Sequence, residues 1–129
     1  MTTYGFGKNK GKREVYTKEE VGNVTVDMTL ADGFQLVEAA ENRCIYNKLT
    51  KQCTLYFRIN GSFPEGTTTT IMTIPVDYRP SKYVYGNVDF NGVGGFISIN
   101  SNGEVQVKQY ESVASLCRGQ ITWVVDGQS

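Results

Sequence analysis

Residues 53–59 read CTLYFRI, so Cys53, Leu55, Phe57 and Ile59 fall on one side of an extended chain and Thr54, Tyr56 and Arg58 on the other. An alternation of period two fits a strand half-buried against a core, and it does not line up on one face of a helix. The same period returns elsewhere. Val24, Val26, Met28 and Leu30 alternate with Thr25, Asp27 and Thr29, which predicts a strand over residues 24–30. Ile121, Trp123 and Val125 share one face of a closing run that begins at Gln120, which predicts a core position for Trp123. Further short strands are expected over residues 44–47, 68–74, 83–90, 96–99 and 105–107, while residues 34–41 fit a strand or a helical turn equally well. Turn-forming stretches separate these runs: Ala31-Asp32-Gly33, Lys48-Leu49-Thr50-Lys51, Asn60-Gly61 and a loose turn over Asn91–Gly95. The sharpest is Asn100-Ser101-Asn102-Gly103, an Asn-Gly between alternating runs, which predicts a hairpin. Roughly eight or nine short strands at this spacing predict an all-β chain, an antiparallel β-sandwich of jelly-roll type over residues 23–129.

The first 22 residues follow another rule. Within residues 1–20 lie five basic and three acidic side chains, with little apolar content before Val15 and Tyr16. That composition predicts an N-terminal arm or linker over residues 1–22 outside the packed core. Thr17 and Glu20 have the spacing of a capping box, so a helical turn over 18–22 is expected.

Two of the three prolines, Pro75 and Pro80, bracket Tyr78 and Arg79 in TIPVDYRPSKYV, residues 73–84. Proline cannot donate to a strand ladder, and it holds the residue before it extended. The segment therefore reads as a corner: Pro75 stops one strand and Pro80 stiffens the approach to the next, with Arg79 extended between them.

The chain carries thirteen basic and thirteen acidic side chains, a formal net charge of zero, which gives no general attraction for nucleic acid or an anionic membrane. No apolar run approaches the roughly 18 residues of a membrane span, and the N-terminus is polar. A soluble protein without nucleic-acid binding or membrane insertion is expected. There is no histidine, which removes the usual general base and the commonest metal ligand. The three cysteines, Cys44, Cys53 and Cys117, have no metal-binding spacing and read as free thiols; a Cys44–Cys53 disulfide would need the two to face each other across a hairpin. Residues 5–14, GFGKNKGKRE, have Phe6 and Arg13 where a phosphate-binding loop needs glycine and Ser or Thr. Residues 89–92, DFNG, resemble the start of a calcium loop, but Asn100 stands where its bidentate glutamate belongs. No cofactor or metal is expected. Carboxylates close in sequence, Glu38 and Glu41, or further apart, Asp77 and Asp89, leave a small glycan depolymerase as the weakest of three readings.

Tyrosine joins a flat apolar ring to a polar tip, which suits a surface that grips a polar ligand. Tyr83 and Tyr85 fall on one face of a strand, and among the chain's aromatic side chains Tyr78, Phe90 and Tyr110 also stand out. The candidate ligand residues are Tyr83, Tyr85, Asp89 and Asn91, the rings stacking on a sugar while the carboxylate and amide take its hydroxyls. Packing at a sheet edge or subunit interface is the competing role for the tyrosines.

The ordered set Val24–Leu30, CTLYFRING (53–61), TTIMTIPVDYRPSK (69–82), ISINSNGEVQV (97–107) and ITWVV (121–125) resembles the C-terminal head domain of tail-fibre and baseplate receptor-binding proteins from phages of Gram-positive bacteria. In that family a strand ending in proline leads to a Tyr-Arg-Pro-Ser corner, here Tyr78-Arg79-Pro80-Ser81, and a Ser-Asn-Gly hairpin, here Ser101-Asn102-Gly103, precedes the closing strand. Asp77 stands where glycine is usual, and three cysteines depart from the common form. The resemblance implies a non-enzymatic homotrimer at the tip of a virion appendage, made in the host cytoplasm. It further implies a host cell-surface glycan or polymer as ligand and attachment to other tail or baseplate proteins through the arm. It supplies no ligand residue by position. A purely structural tail module without a receptor is the alternative.

Overall fold

The alternation of residues 53–59 sits inside the longest strand of a computed structural model that describes residues 3–5, 15–17, 22–111 and 113–125. Twelve strands run in chain order: β1 (Thr3–Gly5), β2 (Val15–Thr17), β3 (Asn23–Thr25), β4 (Thr29–Leu30), β5 (Gln35–Leu36), β6 (Arg43–Asn47), β7 (Gln52–Phe63), β8 (Thr69–Thr73), β9 (Val84–Phe90), β10 (Val93–Ile99), β11 (Glu104–Lys108) and β12 (Ala114–Val124). The only helical elements among the described residues are two 3₁₀ turns, Ala39–Glu41 and Val76–Tyr78. The all-β reading holds. Strands β1 and β2 pair antiparallel within the expected arm; the turn expected over 18–22 lies, apart from Gly22, outside the described residues.

The other ten strands form one sheet, ordered β3-β6-β7-β12-β9-β10-β11-β8-β4, with β5 pairing on β7 beyond the end of β6. Its named strand pairs are antiparallel, and the two ends of the path, β3 and β4, are neighbours in sequence. The run predicted as one strand over 24–30 is thus two. It pairs with β6 through Thr25, passes through Val26–Met28, and pairs with β8 from Thr29. The Val26 N–H still donates to the Cys44 carbonyl at 2.8 Å before the chain leaves that edge. The sheet therefore curls until one short segment spans both of its edges, enclosing a single core in sandwich fashion.

That core follows from the alternation. Cys53, Leu55, Phe57 and Ile59 of β7 are all buried, as are Ile97 and Ile99 of β10, Val105 and Val107 of β11, and Ile121 and Trp123 of β12. Each such large apolar side chain contributes about 1.5–3 kcal/mol relative to exposure. Two irregularities break the period. In β8 the register slips between Thr70 and Met72, so Ile71 is an extra residue and both Ile71 and Met72 are buried. In β7 a second slip falls at residues 61–62. Asn60-Gly61 therefore does not end the strand. Gly61 lies under the Phe34 ring, where any β-carbon would collide with it, and β7 continues to the buried Phe63.

The hairpins also sharpen the sequence reading. Asn91 and Gly92 alone join β9 to β10, with φ of 56° and 97°, the geometry of a two-residue primed turn, so the loose turn expected over 91–95 is a tight one. Residues 34–41 contain both alternatives, β5 and the first 3₁₀ turn. The closing strand begins at Ala114 rather than near Gln120, and its first half pairs with β7 and β9.

The proline corner is structural. Pro75 has φ −58°, Val76–Tyr78 form a 3₁₀ turn, and Arg79 is extended at φ −84° and ψ 147°. Val76 and Asp77 are exposed, while Tyr78 and Arg79 are half-buried and tie the corner to the body. Arg79 Nε donates to the Ile74 carbonyl at 2.7 Å, Trp123 Nε1 donates to the Tyr78 carbonyl at 2.8 Å, and the Tyr78 ring packs edge-on to Tyr46 at 5.2 Å. The Ile74 N–H donates to the Gly103 carbonyl at 2.8 Å, so the corner is locked to the Ser-Asn-Gly hairpin. Inside that hairpin the Asn100 Oδ1 accepts from the N–H groups of Asn102 and Glu104, both at 3.0 Å.

Candidate functional site

With apolar side chains of β7, β12, β9 and β10 turned inward, the alternate residues form one continuous outward face. On β9 this face carries Tyr85, Asn87 and Asp89, since Val88 and Phe90 point to the core. Across the β9–β10 ladder, Asn87 stands opposite Phe96 and Tyr85 opposite Ser98.

One end of the face is aromatic. Tyr83 and Tyr85 stack nearly parallel, 10° between planes and 5.7 Å between centroids, with exposures of 57% and 73%. Phe96, 55% exposed, meets Tyr110, 56% exposed, edge-on at 6.0 Å, and the Lys108 ammonium lies 5.1 Å from the Tyr110 ring centre. Tyr85, Phe96, Lys108 and Tyr110 line a shallow depression of about 180 Å³. Singly exposed apolar residues are ordinary, whereas four large, mostly exposed rings at one place form a contiguous surface patch.

Tyr83 and Tyr85, both candidates from the sequence, are thus brought together and joined by Phe96, which sequence reasoning did not single out. Its signal was available. In Phe96-Ile97-Ser98-Ile99 the two isoleucines claim the core face, which leaves Phe96 facing outward. Of the other aromatics that stood out, Phe90 is buried and Tyr78 belongs to the corner.

Asp89 and Asn91 do not join the tyrosines. Asp89 lies four residues from Tyr85, about 13 Å along a strand at ~3.3 Å per residue. Its Oδ1 accepts from the Gly92 N–H at 2.9 Å and its Oδ2 from Arg118 Nε at 2.8 Å, so both oxygens already serve the protein. Asn91 occupies the tight turn.

The other end of the face is charged. Arg58 of β7 and Arg118 of β12 are direct cross-strand partners, and Arg118 is paired in turn with Asp89 of β9. Glu41 Oε1 accepts from Arg58 Nη1 at 3.0 Å, which completes a row Glu41–Arg58–Arg118–Asp89. The row borders an open groove of about 490 Å³, lined also by Tyr56, Asn87 and Gln120. Among the carboxylates considered from sequence, Glu41 and Asp89 thus share a groove, while Asp77 sits exposed in the proline corner.

The thiols are all inside. Cys44 stands opposite Leu55 and Cys53 opposite Tyr46, so the two cysteines are diagonal neighbours rather than partners, and all three cysteines are free. A hydrogen bond with Cys44 and burial push the Cys53 thiol far above its ordinary range. Burial, with the negative charge of Asp89 nearby, pushes Cys117 up to about 12. Neither thiol is a ready nucleophile. Among the described residues no group of three or more His, Cys, Asp or Glu side chains could hold a metal ion, and no helix is long and apolar enough to cross a membrane.

No model of a known protein family matches the chain, and a search of curated proteins finds no match.

Proposed function

We propose that this chain is the head domain of a phage tail appendage and attaches the virion to a host cell-surface glycan through the aromatic end of its outward face. The observation that carries the reading is the cluster of four exposed rings, Tyr83, Tyr85, Phe96 and Tyr110, on a frame whose other described aromatic rings are buried or half-buried. Sugar rings present apolar faces ringed by hydroxyls. Stacked tyrosines supply flat apolar surface, and their phenolic groups, with Ser98, Gln106 and Lys108 nearby in the same depression, supply the hydrogen bonds. A single shallow platform binds weakly. Three copies in a trimer would convert weak contacts into useful avidity, with residues 1–22 as the join to the rest of the tail.

The test uses an array of Gram-positive cell-wall glycans and light scattering on a sizing column. Binding is expected from a species of three times the 14.4 kDa chain mass, and it should be lost in Tyr83→Ala and in Tyr85→Ala without a change in unfolding. Binding retained in both variants would refute the platform. A trimer that falls apart on Tyr85→Ala, with no glycan bound by the parent, would make the rings a subunit contact and favour the purely structural module.

A further inference from the structure

We propose that the groove between β7, β12 and β9 is an oxyanion subsite, in which Arg58 and Arg118 together hold one carboxylate or phosphate group. The inference rests on the attachment reading only for the identity of the larger molecule that carries this group.

The two arginines are directly opposite in the β7–β12 register. Side chains at such positions start about 4.5–5.5 Å apart, and like charges there are destabilising. A flanking carboxylate relieves each one. These carboxylates stand at the outer ends of the row, and both oxygens of Asp89 are already engaged. The donors are not used up. Each guanidinium has five N–H groups, and the contacts to Glu41 and Asp89 use Nη1 of Arg58 and Nε of Arg118. The Nε of Arg58 is buried with no hydrogen-bond partner, so this guanidinium is incompletely satisfied as it stands. Asn87, Gln120 and Tyr56 also line the groove, and their side chains can both donate and accept.

Between the two carboxylates the guanidinium donors are in excess, since arginine donates and cannot accept. A ligand with hydroxyls alone brings as many donors as acceptors and leaves that excess in place. An oxyanion brings acceptors only, matches the planar guanidinium fork, and cancels the repulsion between two adjacent cations. Asn87 lies between Asp89 and Tyr85 on β9 and is the cross-strand partner of Phe96, so the edge of the groove lies beside the aromatic platform. The fitting ligand is an acidic glycan, one sugar stacked on the rings and a charged group further along held by the arginines.

The experiment follows the arginine Nε–H resonances of the full chain by NMR at constant ionic strength, titrating with sodium glucuronate, inorganic phosphate or neutral glucose. Either anion, or both, should move the Arg58 and Arg118 signals to saturation while glucose does not. Response to glucuronate alone identifies a carboxylate site, to phosphate alone a phosphate site, and to both a general oxyanion site. Arg118→Gln, at an exposed position, should weaken the anion at least about tenfold, the loss expected for a charged hydrogen bond. Glu41→Gln, which removes the competing carboxylate, should tighten it. A purely structural role for the row would give no such gain. The proposal is overturned if neither anion saturates, if Arg118→Gln leaves the shifts intact, or if Glu41→Gln weakens binding. The titration needs no receptor. A chain that binds glucuronate but no cell-wall glycan keeps the subsite and loses the attachment reading, whereas glycan binding indifferent to excess glucuronate and phosphate has the reverse consequence.

Discussion

Gly103→Ala is the sharpest test of how this frame is held together. Gly103 has φ +83°, and a β-carbon there would fall on Arg79 Nε and within 2.8 Å of both Arg79 Cδ and the Ile74 carbonyl oxygen. Two costs follow. Placing alanine in the left-handed region costs roughly 1–2 kcal/mol. Displacing Arg79 removes its hydrogen bond to the Ile74 carbonyl, worth about 1.5–3 kcal/mol for a charged donor. The variant should therefore lose about 2.5–5 kcal/mol in urea unfolding, measured at one protein concentration so that any self-association is held constant. A cycle with Arg79→Ala separates the two parts. If the collision with the guanidinium matters, the second substitution costs less in the Gly103→Ala background than alone, and the coupling should be about 1–3 kcal/mol. A loss below about 0.5 kcal/mol, or strict additivity, would refute the idea that corner and hairpin are one unit.

Gln109 is buried, donating from Nε2 to the Phe63 carbonyl at 3.0 Å and accepting at Oε1 from the Glu111 N–H at 2.8 Å. Gln109→Leu keeps the volume and leaves both backbone groups without that partner, so thermal or urea unfolding should show a loss of about 2–4 kcal/mol. For Cys117, the folded pKa of about 12 lies above the ordinary thiol value of 9.0, so the unfolded thiol ionises first. That raised value adds stability below pH 9 that is lost as pH climbs toward 12, by roughly 2 kcal/mol at pH 10.5. Cys117→Val should flatten this part of the stability–pH curve, and an unchanged slope would count against the buried neutral thiol.

The sequence was most readable where one rule acted alone. Residues 53–59 and 121–125 alternate cleanly because one side packs on the core and the other meets water. Asn102-Gly103 was readable because few residues tolerate its backbone geometry. Reading failed where two rules competed. Val24–Leu30 keeps its period across a change of sheet edge, since both edges face the same core, and only pairing reveals the break at Val26–Met28. Asn60-Gly61 carries a turn signature, yet this glycine serves close packing against Phe34. The first half of β12 was invisible because its inward positions include Gly119, which has no side chain to mark the period. The site divides in the same way. The stacking of Tyr83 and Tyr85 follows from one strand, while the Arg58–Arg118 pair depends on a register between residues 60 positions apart.

The outward face also differs from the rest of the molecule in what explains it. The proline corner, the Ser-Asn-Gly hairpin and Gln109 each satisfy buried groups, and their side chains follow from stability alone. The charged row does not. Its ion pairs are partly exposed, and such pairs typically contribute about 0–1 kcal/mol. Against that stand two cations in direct cross-strand register and a buried Nε without a partner. The platform has the same imbalance, since four rings at the surface add little to a core they do not enter. Two unrelated chemistries that the fold does not need thus adjoin on one face of β9. The ligand we propose, with an apolar ring and an acidic group, would account for both and for their adjacency with a single cause.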